Sequence, residues 1–124
     1  MFIRNLKSCK KFIAGDSSVL RELLNARKGN FAFGYSLAYA VVGPKKATKP
    51  HKLKTSEVYY VLEGRGRMYI NKESRGVHPG DTIYIPPRCL QYIENTGESD
   101  LVFLCIVDPA WCIEDEEIIR VRNK

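Results

Sequence analysis

From residue 31 to residue 108, short apolar-rich segments alternate with polar, Gly- and Pro-marked breaks. The segments FAFGYSLAYAVVG, EVYYVLEG, GRMYIN, DTIYIPP, QYIENTG and DLVFLCIVD are rich in Val, Ile, Tyr and Phe, and Gly, Pro, Asn or Asp bounds each of them. This composition and period predict short β-strands. Their close spacing predicts antiparallel pairing, and many short strands with Gly and Pro punctuation predict an all-β sandwich or barrel. The stretch GDSSVLRELLNARKG reads differently. Val19, Leu20, Leu23 and Leu24 recur at helical spacing, Asp16 or Ser17 can cap a first turn, and Gly29 supplies a stop, so one short amphipathic helix is expected after a strand-like FIRNL. The organisation expected is a single domain: an N-terminal strand and helix over residues 1–35, a barrel over 36–108, and a tail over 109–124. Pro109 closes the last strand. Trp111, Ile113, Ile118 and Ile119 of the tail are apolar anchors expected to pack on the barrel or on a partner subunit.

Alternation also assigns side chains to faces. Glu57, Tyr59 and Val61 share one parity, and an extended chain running backwards adds Leu53 and His51. In a later strand Gln91, Ile93 and Asn95 share a side. A carboxylate facing the inside of a small barrel is costly unless it is paired, protonated or bound to a cation. Glu57 therefore needs a partner.

Composition narrows the functional classes. With 124 residues, 44% of them apolar and 27% charged, the chain has the make-up of one globular domain. The longest apolar run, LVFLCIV, is too short to cross a bilayer, and MFIRNLKSCKKF has no apolar stretch behind its charges, so neither a membrane span nor a secretory leader is expected. Cys9, Cys89, Cys105 and Cys112 form no C-x-x-C pair, which suits a reduced, cytoplasmic protein, and Cys105 reads as a small hydrophobe within its apolar run. The net charge of +6 is spread along the chain without a recognition motif, so no nucleic-acid partner is expected. One denser patch, KKATKPHKLK, places five lysines around His51. Two readings of it are open: a rim that concentrates a small anionic substrate, or a solvated loop.

Two groups of residues carry a family likeness. His51, Glu57 and Gly64 stand at the spacing of the first cupin motif, with Leu53 where a second histidine belongs and Lys45 where the opening glycine belongs. Gly80, Pro86 and Asn95 stand at the spacing of the second motif, with Arg88 in place of its middle glycine and Gln91 in place of its histidine. The chain thus resembles the small single-domain cupins, including the mannose-6-phosphate isomerase-like group. The resemblance implies a jelly-roll β-barrel with a small-molecule pocket inside. It also implies one divalent ion (Zn, Mn, Fe or Ni) on the reduced ligand set His51, Glu57 and Gln91, and pairing as a homodimer; Tyr59, which shares Glu57's parity, has two open readings, a hydroxyl that orients a substrate or an ordinary core tyrosine. Without an ion, Glu57 would instead accept hydrogen bonds from His51 and Gln91. His78, in the turn V-H-P-G-D, falls outside every ligand position. Three functional classes stay open: a metal-assisted isomerase, lyase or oxygenase; a non-catalytic small-molecule-binding module; and a structural homodimer with a vestigial site.

Overall fold

The computed structural model describes residues 1–119. In chain order the strands are β1 (Lys11–Ile13), β2 (Val19–Asn25), β3 (Ser36–Val42), β4 (His51–Leu53), β5 (Ser56–Glu63), β6 (Gly66–Ile70), β7 (Glu73–Val77), β8 (Thr82–Ile85), β9 (Gln91–Asn95), β10 (Leu101–Asp108) and β11 (Glu116–Ile118). They form two sheets, a six-stranded one in the order β1-β2-β3-β10-β5-β8 and a five-stranded one in the order β11-β4-β9-β6-β7. Every pairing is antiparallel. The inner faces meet in one core of Ala40, Val61, Ile85, Ile93, Leu101 and Phe103, none more than 1% exposed. The all-β architecture expected from the strand pattern, and the jelly roll implied by the resemblance, are the observed fold.

The expected helix over GDSSVLRELLNARKG is a strand, β2, which joins β3 in the first sheet. Its register explains the misleading pattern. Leu20 pairs with Ala40 and Glu22 with Ala38, but the register then slips, so that Leu24 pairs with Leu37. A bulge inserts one residue and breaks the period of two. Apolar residues on either side of it then fall at helical spacing. The helical pieces among the described residues are three 3₁₀ turns, at Leu6–Ser8, Ala26–Lys28 and Ile113–Asp115.

The two glycine positions that the motifs lack keep a glycine's backbone. Lys45 has φ +60° and Arg88 φ +64°, beside φ +82° at Gly64 and +93° at Gly80. A left-handed residue bearing a Cβ costs about 1–2 kcal/mol. The turns keep that shape because their hydrogen bonds require it: Arg88 N–H donates to Leu53 O at 2.6 Å, and Lys46 N–H to Gly43 O at 3.1 Å. Gly64 carries a second constraint. A Cβ there would be jammed against the Asp100 carbonyl oxygen, with Leu101 Cα 3.0 Å away.

Gly64→Ala is therefore expected to lose more than about 2 kcal/mol, from left-handed strain plus the backbone clash. Arg88→Gly, at an exposed side chain, should leave stability level or raise it by up to about 1 kcal/mol. Urea unfolding of the two variants checks both signs.

Candidate functional site

The side chains singled out by parity do come together, from both sheets. β4 and β9 meet through the single pair His51–Gln91, and β5 carries Glu57 and Tyr59 inward opposite them. His51, Glu57, Tyr59 and Gln91 are 3%, 6%, 3% and 1% exposed. Leu53, at the position of the second motif histidine, also points inward and is buried. His51, Leu53, Glu57 and Tyr59 face one narrow cavity of about 50 Å³. Gln91 lies outside its wall and bonds to two residues that form it.

Hydrogen bonds fix the polarity of each group. The Tyr59 hydroxyl donates to Gln91 Oε1 at 3.2 Å, so the Gln91 amide offers its N–H side to Glu57. His51 Nδ1 lies 2.7 Å from the Lys49 carbonyl oxygen, which can only accept, so Nδ1 carries the hydrogen. The other ring nitrogen, Nε2, faces Asp16 Oδ2 at 3.7 Å. Asp16 is itself held by the backbone N–H and hydroxyl of Ser18, both donating to Oδ1, at 3.0 and 2.6 Å. Glu57 Oε1 is buried with no hydrogen-bond partner.

Burial pushes the Glu57 carboxyl from 4.5 up to about 8; the Gln91 hydrogen bond works against the rise, and the charges of Asp16 and Glu116 add to it. Glu57 is accordingly a neutral acid at pH 7. Burial also raises the Tyr59 hydroxyl and the Cys105 thiol well above their ordinary values, with the Glu57 charge as the next cause for each. Burial raises Glu116 too, against a hydrogen bond from Trp111 Nε1 at 3.1 Å.

Several of these neighbours escaped sequence reasoning. Asp16 comes from the loop before β2, where it looked like a helix cap. Glu116 opens β11, and Trp111 and Cys105 also line the cavity. Asp16 holds a turn through Ser18 rather than the helical turn expected of it, and its second oxygen is turned toward His51. Nothing in IEDEEI marks Glu116 as the inward member. The tail anchors behave unequally: Trp111 is half-buried on the cavity, and Ile113 is 69% exposed. The lysine patch has a counterpart, since Lys52, Lys54 and Arg88 share a surface cleft with Glu114, Asp115 and Glu117. His78 lies in an exposed turn as expected, with its N–H donating to Asp81.

The donor set answers the question of a divalent ion on His51, Glu57 and Gln91. The Gln91 oxygen already accepts the Tyr59 proton, and Leu53 offers no donor. Two donors remain free, His51 Nε2 and Glu57 Oε1. Among the described residues no three His, Cys, Asp or Glu side chains converge closely enough to bind a metal ion. The arrangement does not fit a resident ion, because the amide that replaces a motif histidine is spent on hydrogen bonds.

A raised carboxyl pKa has a sign that stability can read. The folded state holds the Glu57 proton to about pH 8 and the unfolded chain releases it near 4.5, so the folded protein binds more protons across that window. Stability should fall as pH rises from about 5 to 8, by an amount on the order of a few kcal/mol. Glu57→Gln, which cannot ionise, should flatten most of that slope in urea titrations at several pH values.

Comparison with known proteins agrees with the architecture. The family model described as "Cupin domain" matches residues 38–107. An uncharacterized protein of Methanocaldococcus jannaschii, MJ1618, is 46% identical over 114 residues, covering 90% of this chain and 89% of that one. A glucose-6-phosphate isomerase of Thermococcus litoralis is 28% identical over 111 residues, covering 78% of this chain; the match spans 58% of the isomerase's length. Among solved structures, a Cupin 2 conserved barrel domain protein of Salinispora arenicola superposes with a TM-score of 0.75 at 18% identity, over 92% of this chain and 91% of that one, a likeness of fold alone. Two sheets in jelly-roll order, motif residues facing one interior cavity, and a family match over more than half of the chain lead to one assignment: the chain belongs to the cupin family.

Proposed function

We propose that this cupin performs proton transfer on a small carbonyl compound with its own side chains, in the manner of an isomerase or lyase. One observation carries the reading: a neutral, fully buried Glu57 carboxyl has an unpartnered oxygen at a cavity that also holds a histidine. Glu57 donates a proton to the substrate's carbonyl oxygen. His51 Nε2, whose positive charge Asp16 would stabilise, takes a proton from the adjacent carbon, and the resulting enol-type species collapses in either direction. Tyr59 and Gln91 hold the Glu57 carboxyl in place. A general acid with a pKa near the working pH suits this role.

Two further facts support a carbonyl substrate. The relatives that bear a functional name at comparable coverage of this chain are glucose-6-phosphate isomerases, whose named reaction is an isomerisation of this class. Lys52, Lys54 and Arg88 lie beside the same strand as His51, where an anionic substituent could bind once the acidic tail yields. The narrow cavity of about 50 Å³ holds little more than a water or two. A substrate of sugar size enters only when the loop of residues 14–18 or the segment of residues 111–116 moves aside.

The test is exchange of carbon-bound hydrogen with D₂O, followed by proton NMR, on glycolaldehyde, hydroxyacetone, glucose 6-phosphate and fructose 6-phosphate. Exchange on at least one of them, lowered by about 10²–10⁴-fold in Glu57→Gln and in His51→Gln with the fold intact, is the expected result. No exchange above the uncatalysed rate on any probe, or full activity in Glu57→Gln, would overturn the reading in favour of a binding module. A stoichiometric divalent ion in protein purified without chelator, lost in Glu57→Gln, would overturn it in favour of a metal site.

A further inference from the structure

The two sheets part along the flank where β7 and β8 end them. Each is the outermost strand of its sheet, the turn at residues 78–81 joins them, and among the described residues no further strand pairs with either. Between them lies a groove of about 460 Å³, within the roughly 300–1,000 Å³ of small-molecule sites. It shares no lining residue with the cavity at Glu57.

Strand register fixes what faces this groove. Val77 is buried opposite Gly66, so Arg75 and Glu73, at the same parity, lie on the core side of their sheet, opposite Met68 and Ile70 respectively. On β8, Ile83 shares its side with the buried Ile85. The floor is therefore apolar: Met68, Ile70, Val77 and Ile83 all belong to the core or pack against it. Over it stand two opposite charges, and among the described residues neither Arg75 nor Glu73 makes an ion pair. Arg67, on the outer face of the same hairpin, is by contrast engaged, its Nε donating to Ser74 Oγ at 3.0 Å. Asp81 adds a second carboxylate to the wall, and one of its oxygens accepts the His78 N–H. Inward charges blunt a sheet edge against a foreign strand. That disfavours a peptide strand as the occupant, but it does not account for a roomy apolar floor beneath charges of both signs.

We infer that the groove binds a small zwitterion with an apolar side chain, of the α-amino acid class. Arg75 takes the carboxylate, to which a guanidinium can donate two parallel hydrogen bonds, and Glu73 takes the ammonium group. The ligand's side chain lies on Met68, Ile70 and Ile83. Charge selects this class. Two carboxylates and one guanidinium line the groove, so a simple anion would meet net negative charge, and an amine alone would leave Arg75 covered and unmatched. A ligand carrying both charges matches both side chains. This inference is independent of the proposed reaction.

Calorimetric titration and amide chemical-shift mapping by NMR test it, with leucine, phenylalanine, N-acetylleucine and leucinamide as probes. Leucine or phenylalanine should bind, with shifts centred on residues 68–84. N-acetylleucine lacks the ammonium charge and leucinamide the carboxylate, and each should bind about tenfold or more weakly than leucine. Arg75→Gln and Glu73→Gln, both at exposed side chains, should each weaken leucine by a similar factor. Lys72→Gln, in the adjoining turn and outside the groove, should bind as the wild type does. No binding of either amino acid at a concentration on the order of 10 mM would overturn the inference. Equal affinity for the blocked forms, shifts centred on His51 and Glu57, or full binding by Arg75→Gln would overturn it as well.

Discussion

A carboxyl group between two apolar sheets must be neutral or matched by a charge, and the interior of this barrel is organised around that requirement at Glu57. Among the described residues no lysine or arginine lines the cavity; the carboxyls of Asp16, Glu22, Glu57 and Glu116 line it with one imidazole. Protons make up the balance. The Gln91 amide serves Glu57 with its nitrogen and Tyr59 with its oxygen, so a single buried side chain links β9 to β5 across the sandwich. The raised Glu57 pKa, the tautomer of His51 and the spent oxygen of Gln91 all follow from how few partners the interior offers.

The two substitutions in the cupin motifs gain physical meaning from this. An imidazole exchanged for an amide at position 91 trades a nitrogen lone pair for a group that must both donate and accept. At position 53 the exchange for Leu turns a wall of the cavity apolar, which lowers the local dielectric and strengthens the desolvation of Glu57. Together they remove two imidazole nitrogens that the motifs would supply and leave one hydrogen-bonding amide in their place. The scaffold positions follow the opposite logic. Lys45 and Arg88 keep the left-handed backbone of the glycines they replace, so the turns tolerate strain to preserve the placement of β4 and β9.

Much of this was legible from period alone. Strand parity put Glu57 with Tyr59, and carried back through residues 51–53 it put His51 on the same side, because a pleated strand leaves no freedom in that choice. The helix expected over β2 fails for a local reason, the bulge between Glu22 and Leu24, which sequence period cannot distinguish from a helical turn. Asp16 and Glu116 were hidden for another reason. Each comes from a segment whose position depends on long-range pairing, Asp16 through the bond of Lys49 N–H to its carbonyl and Glu116 through β11 on β4. No neighbour in sequence announces such contacts.

Those same two segments line the narrow cavity, so a shift of either would change its charge as well as its shape. Asp16 faces His51 Nε2 and Glu116 adds to the field that raises Glu57, so displacing either segment removes a charge as well as a steric block. With Asp16 withdrawn, the histidine loses the group that would stabilise its protonated form. With Glu116 withdrawn, the Glu57 acid grows stronger, and water entering the opened mouth pushes it further the same way. With both segments in place, burial and the charges of Asp16 and Glu116 act together to hold the proton on Glu57.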